Sequence, residues 1–118
     1  MNTITRPDVL LSTTYKYNFS DQNGDVSLYV TISNLDETPF EVFINCKNAY
    51  YAEHLNALMI TVSLALRQGI DLSVLASELC DICSPFTGHF GNGGYVNSIY
   101  AAIGQVFKRH ISQSNEEL

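Results

Sequence analysis

The feature that most constrains this chain is a change of hydrophobic period near Tyr50. Before that residue apolar and polar side chains alternate, as in half-buried β-strands; after it apolar residues recur at helical spacing. An order of strands first and helices afterwards predicts an α+β layer architecture and excludes alternating βαβ units. The 118 residues suffice for one domain, to which we assign residues 1–118.

The N-terminal part of the chain predicts a three-stranded antiparallel meander. Asn23-Gly24 lies at the centre of a turn between the first two strands, and a second turn follows the second strand. In the third strand the alternation leaves Glu41 on the face opposite Phe40 and Val42. The predicted strands are residues 13–20, 26–33 and 40–44.

The helix predicted over residues 50–67 is apolar on more than one side. Ala57, Ile60 and Leu64 fall outside the stripe that would cover one face of the sheet, so a second surface of the helix needs burial. Because the remaining helices or a second subunit must provide it, we expect at least a homodimer. Gly69 is placed to end the helix, and the stripe consists of Tyr51, Leu55, Leu58, Met59, Val62, Ala65 and Leu66.

Capping residues predict two more helices. Asp71 caps a short helix to about Leu79, and Asn97 or Ser98 caps a last helix to about His110. The expected fold is a three-stranded antiparallel meander followed by two or three helices packed on one face. The segments left over are residues 84–95, interpreted as a loop, and residues 112–118, interpreted as a frayed tail.

Charge and composition exclude several functions. Twelve acidic residues against six Lys and Arg give a net charge of −6, which argues against a nucleic-acid binder that must neutralise many phosphates. The longest apolar stretch, residues 55–66, is interrupted by polar residues and is too short to cross a bilayer. Three cysteines with no signal peptide favour a reducing cytoplasm.

No set of residues typical of catalysis or metal binding stands out. Cys80 and Cys83 form a CxxC, but zinc needs four ligands and no second pair follows at finger-like spacing, so we expect no metal and no cofactor. His110 is interpreted as a charge complement at the end of the last helix. His89, in the glycine-containing loop, is the one histidine in a setting that could suit a general base, and no partner for it is apparent.

The loop of residues 87–94 is rich in glycine, which lets backbone N–H groups approach an anion. It matches neither a Walker motif nor a dinucleotide fingerprint, and a plain surface connection explains its glycines equally well. Aromatic side chains that could stack on a base surround it, and it leads into a helix N-terminus. These aromatic residues are Phe86, Phe90 and Tyr95.

Several segments follow one another as they do in the TSCPD domain, which the chain resembles over nearly its whole length. That domain occurs at the C-terminus of vitamin-B12-dependent ribonucleotide reductases and as small free-standing proteins, many in phages. Where the family carries Thr-Ser-Cys-Pro-Asp followed by Ala-Ile-Ala, this chain has residues 97–104 without the cysteine and the aspartate. The matching segments begin at Arg6-Pro7, Thr13-Thr14, Leu28-Tyr29, Pro39-Phe40-Glu41, Ser63-Leu64-Ala65-Leu66-Arg67 and Ile82-Cys83.

The chain is also similar, more loosely, to phage proteins that inhibit Thoeris immunity by sequestering a cyclic ADP-ribose signal. That resemblance implies a non-enzymatic homo-oligomeric sponge, working in the cytoplasm of an infected host and holding a glycocyclic ADP-ribose type of ligand between subunits. Two alternatives remain: an accessory module of ribonucleotide reductase that acts by protein contact, and a nucleotide-processing enzyme using His89.

The expected ligand site lies where the loop meets the last helix and the N-terminal segment of the same or a neighbouring subunit. Arg109 is the first candidate for the phosphates, helped by Arg6 or Lys16. Asn92 would hydrogen-bond an adenine or ribose edge. Since Arg109 lies at the far end of the last helix from the loop, we expect the two to share a pocket across a subunit interface. The full set of candidates is Arg109, Asn92, Phe86, Phe90, Tyr95, His89, Arg6 and Lys16.

Overall fold

The computed structural model describes residues 5–21, 24–83, 89–91, 94–96 and 98–116, with the backbone alone described at 19–21, 24, 89–91, 94–96 and 114–116. Strands come first and helices follow, apart from two short strands between the second and third helices. The elements are β1 Leu11–Asp21, β2 Gly24–Leu35, β3 Thr38–Cys46, α1 Ala49–Arg67, α2 Leu72–Cys80, β4 His89–Gly91, β5 Gly94–Val96 and α3 Ile99–Glu116. The α+β prediction is confirmed.

The sheet has five antiparallel strands in the order β3-β2-β1-β4-β5. Its first three strands form the predicted meander. The expectation of a loop across residues 84–95 is wrong for β4 and β5, which extend the sheet beyond β1 through a pair between Ser20 and Phe90. Such short strands are held by the open edge of β1, and three residues are too few for an alternating pattern to be recognised.

The connection between β2 and β3 is a two-residue turn. Asp36 and Glu37 both have positive φ, 52° and 68°, as a type I′ hairpin requires. Just beyond the turn, Ser33 pairs with Glu41 and Asn34 pairs with Pro39, so Phe40 is an extra residue in β3. This β-bulge changes the direction of the side chains around it.

α1 lies along the outer edge of β3. Ser63 Oγ accepts from the backbone N–H of Val42 at 3.0 Å and donates to the carbonyl of the same residue at 3.2 Å. These bonds satisfy backbone groups at the outer edge of β3, which has no neighbouring strand in the order of the sheet. The predicted second apolar surface is confirmed for this chain, since Ile60 and Leu64 are 56% and 52% exposed. Ala57, about one helical turn before Ile60, is also exposed.

α2 and α3 pack closely against each other. A Cβ placed on Gly104 of α3 would lie 2.8 Å from Cys80 Sγ and 2.9 Å from the carbonyl oxygen of Ala76, so only glycine permits this approach. Ser98 caps α3 by accepting from the N–H of Ala101, and it donates to the carbonyl of Ile82 at 2.7 Å. The predicted caps Asp71 and Ser98 are therefore confirmed.

α3 continues to Glu116, so the expected end near His110 is wrong. Its inner side packs, with α1 and α2, on the face of the sheet that carries Tyr15, Leu28 and Val42. Among the described residues no helix is both long and apolar enough to span a membrane.

Candidate functional site

The glycine-containing segment contributes part of the expected ligand site. His89 and Phe90 lie on β4, and Tyr95 lies on β5, opposite Phe90. Phe86 and Asn92 fall outside the described residues. Because β4 pairs with the Ser20 end of β1, the segment lies at that end of the strand.

Arg109 lies on the exposed side of α3, with its guanidinium carbon 5.1 Å from the centroid of the Tyr15 ring. This distance is typical of a cation–π contact. Tyr15 is five residues from Ser20, the partner of Phe90. At about 3.3 Å per residue, the backbone of Tyr15, over which Arg109 lies, is roughly 17 Å along β1 from the residue that pairs with the glycine segment.

A hydrogen-bond network fixes the ring on which Arg109 lies. The Tyr15 hydroxyl donates to Gln113 Oε1 at 2.8 Å, which leaves its oxygen to accept from His110 Nδ1 at 2.8 Å. The rings of Tyr15 and His110 also meet edge to face, with centroids 5.7 Å apart. Nε2 of the same histidine lies 3.3 Å from Asn34 Oδ1.

The interpretation of His110 as a charge complement at a helix end is therefore wrong. Six more helical residues follow it, and its side chain is only 4% exposed. A buried imidazole with partners at both nitrogens orders its surroundings. Sequence spacing could not show this, because the partners Tyr15 and Asn34 are 95 and 76 residues away.

Arg6 lies elsewhere, at the outer edge of β3. Its Nε donates to both carboxylate oxygens of Glu41, at 3.0 and 3.1 Å, and its Nη2 is 3.0 Å from Oε1. Arg67, from the last turn of α1, reaches the other oxygen through Nη2 at 3.0 Å. The Glu41 carboxylate is 1% exposed and thus lies between two guanidinium groups.

The ion cluster of Arg6, Glu41 and Arg67 is held by the bulge and by an aromatic ring. The Arg67 guanidinium carbon lies 5.0 Å from the centroid of the bulged Phe40 ring, and its Nε is buried without a hydrogen-bond partner in the described structure. The hydrogen bond to Glu41 raises the pKa of the Arg6 guanidinium above its ordinary value. A charge-assisted, partly bidentate arrangement of this kind ties the N-terminal segment to β3 and α1.

Lys16 does not lie beside Arg109 within the chain. It pairs across the strands with Tyr29, and its Nζ lies 5.8 Å from the centroid of that ring. Lys16 is exposed whereas its neighbours Tyr15 and Tyr17 are buried, so it lies on the outer face of the sheet, opposite the helices. The structure therefore separates Arg6, Lys16 and Arg109 into three locations.

The cysteines do not meet one another. Cys80 ends α2 against α3, whereas Cys83 is exposed beyond it, and all three thiols of the chain are free. Within the described ranges no three His, Cys, Asp or Glu side chains are grouped as metal ligands.

Comparison with known proteins identifies the family. Residues 11–111 match the model of the TSCPD domain. The chain belongs to the TSCPD domain family. No curated protein and no solved structure matches the chain significantly.

In this TSCPD domain the ion cluster joins three segments that are distant in the chain. Glu41 and Arg67 lie within the matched residues 11–111, and Arg6 comes from the stretch that precedes them. Sequence reasoning missed the cluster because alternation alone gives no sign that Glu41 is buried, and its two partners lie 35 and 26 residues away in the chain. No local pattern in the sequence indicates this cluster. Within residues 97–104, where this chain lacks the family's cysteine and aspartate, Ser98 caps α3 and Gly104 permits its close packing against α2.

Proposed function

We propose that this TSCPD domain binds a cyclic ADP-ribose type of nucleotide and holds it without cleaving it. In an infected bacterial cell, a phage-encoded protein of this kind would sequester the signal of Thoeris immunity. The observation that carries the proposal is the environment of Arg109. Its exposed guanidinium lies on an ordered aromatic ring and pairs with no carboxylate among the described residues.

A guanidinium presented in this way suits a diphosphate. Its planar fork donates two parallel hydrogen bonds to phosphate oxygens, and the Tyr15 ring, the hydroxyl of which is already bonded to His110 and Gln113, limits its rotation. The chain's net charge of −6 would otherwise repel a dianion, so a local cation is required. Sequestration needs these contacts and no bond-breaking group.

The base of the ligand would stack at the glycine segment, on Phe86, Phe90 or Tyr95, with Asn92 at its edge. Since about 17 Å of β1 separates the residue that pairs with this segment from Tyr15, over which Arg109 lies, we propose a pocket between subunits. The exposed Ile60 and Leu64 of α1 provide a second contact between copies. That surface lies along β3, whereas β4 and β5 extend the other edge of the sheet, so the two contacts are separate.

Native mass spectrometry with glycocyclic ADP-ribose tests the proposal. We expect an oligomer that carries the ligand, and unchanged ligand mass after release by denaturation. Recovery of a cleaved nucleotide would instead support an enzyme, and an oligomer without ligand at saturating concentration would contradict sequestration.

Sedimentation of Leu64→Glu tests the contact through α1. We expect a smaller assembly, because a carboxylate would be placed in the apolar contact while the separate contact at the ligand pocket remains. Val74→Glu on α2 is the matched control, since Val74 is 53% exposed and Leu64 is 52% exposed. A parent protein that sediments as a 13.1 kDa monomer would contradict the assembly.

The family membership favours one alternative, an accessory module of ribonucleotide reductase that acts by protein contact. The exposed apolar residues of α1 would then bind the reductase. Specific binding of the purified protein to the host reductase, lost in Leu64→Glu and kept in Arg109→Ala, would support this alternative.

A further inference from the structure

The open edge of β2 takes no part in the site proposed above. β3 pairs with β2 as far as Cys46, opposite Leu28, and the chain then turns through Lys47 into α1. Residues 25–27 of β2 continue to pair with β1, but within the described part of the chain no strand lies on their other side. Such an edge presents backbone donors and acceptors to a further strand.

The ladder shows which backbone groups face this open side. The N–H of Val42 donates to Ser63, so it points away from β2. Because backbone groups alternate along a strand, those of Phe43 and Asn45 face β2, and the partner of Asn45 on β2, Tyr29, faces β3. The same alternation directs the N–H and C=O of Ser27 and Asp25 to the open side.

A cavity of about 440 Å³ lies at this edge and reaches onto the outer face of the sheet. The backbone N–H and C=O groups of Ser27 and Asp25, two residues apart, both point to this side of β2. An extended peptide carries the complementary pair at the same spacing, which a sugar or a nucleotide does not. The side chains that line the cavity include Asp25, Ser27, Tyr29, Asn45 and Lys47.

We propose that this edge binds an extended peptide segment of a partner protein. The peptide would pair antiparallel with β2 beyond Leu28, where the pairing with β3 ends at Cys46. Charge defines the peptide. Its residue opposite Ser27 would lie beside the Lys47 ammonium, and its residue opposite Asp25 beside that carboxylate. Opposite charges stabilise cross-strand neighbours, so the recognised order is acidic, apolar, basic from N- to C-terminus.

The probe is the peptide acetyl-Thr-Glu-Val-Lys-Thr-amide, titrated into ¹⁵N-labelled protein and followed by NMR. We expect saturable shifts at the amides of Asp25 and Ser27. Methylation of the peptide's Glu nitrogen removes a donor that faces β2 and should weaken binding about tenfold. Methylation of its Val nitrogen, which points away from β2, is the matched control and should change affinity by less than about twofold.

Two protein variants test the same backbone hydrogen bonds by changing the protein instead of the peptide. Ser27→Pro removes the N–H at the open edge without removing a bond to β1, and should also weaken binding about tenfold. Ser27→Ala retains that N–H and loses only the 2.7 Å bond from Ser27 Oγ to Asn18, and should bind like the parent. Equal affinity for the two methylated peptides, or no shift at Ser27, would overturn the proposal.

Discussion

Two arginines of this domain lie over aromatic rings in nearly the same geometry, Arg67 on Phe40 at 5.0 Å and Arg109 on Tyr15 at 5.1 Å. Their surroundings differ. The first guanidinium is bonded to the buried Glu41 carboxylate, whereas the second meets no carboxylate in the described ranges. Stacking on a ring positions both groups, and the location of the counter-ion decides what each can do.

At β3 the counter-ion comes from the protein itself. Glu41 joins the N-terminal segment to α1, so the charges serve the fold. At α3 the side chains of His110 and Gln113 order the ring beneath Arg109 through hydrogen bonds. The positive charge there remains available to an anionic ligand, and we expect the two sites to respond differently to mutation.

The largest expected loss of stability is that of Glu41→Ala. Removing the 1% exposed carboxylate leaves two guanidiniums beside each other, and we expect about 2–3 kcal/mol of destabilisation in urea unfolding. Glu53→Ala, an exposed change on α1, is the control and should stay within about 0.5 kcal/mol. Equal stabilities of the two variants would show that the ion cluster does not support the fold.

Arg67→Ala should cost less than Glu41→Ala, about 1–2 kcal/mol, because Glu41 keeps its bonds from Arg6. Arg6→Ala should cost less again, since its side chain is 46% exposed and that of Arg67 is 25% exposed. Thermal unfolding of both variants under identical conditions checks this order. The reverse order would place the stabilising bond in the N-terminal segment.

Tyr15→Phe tests the region around Arg109, and its expected loss of stability is similar to that of Arg67→Ala or smaller. The ring beneath Arg109 remains, but the partners at His110 and Gln113 lose the hydroxyl, for an expected destabilisation of about 1 kcal/mol. We also expect weaker binding of glycocyclic ADP-ribose, by about two- to tenfold, because the ring is held less firmly. Unchanged stability and affinity would show that the network does not position Arg109.

Much of the fold could be predicted from local signals. The meander and α1 follow from their periods of two and 3.6, and the caps at Asp71 and Ser98 define where helices begin. β4 and β5 could not be predicted in this way, because they form only against the edge of β1. The end of α3 also lacked a signal, since no glycine or proline follows His110.

The two charged regions depend on contacts between distant residues. Alternation in β3 indicated that Glu41 points outward. Its burial is explained by the bulge at Phe40 and by the contact with Arg6, which is 35 residues away in the chain. For Arg109 the sequence indicated an exposed cation but not the ring beneath it. The assignments of Phe86, Phe90, Tyr95, Asn92 and His89 to the ligand site stay predictions.

Calorimetry with glycocyclic ADP-ribose tests the central claim most directly, on the parent protein, Arg109→Ala and Arg67→Ala. Because Arg109 contacts the rest of the described structure mainly through one ring, its loss should change stability by less than about 0.5 kcal/mol and weaken binding at least tenfold. Arg67→Ala should lose stability and keep its affinity for the nucleotide. Tight binding by Arg109→Ala, or loss of binding in Arg67→Ala alone, would contradict the account.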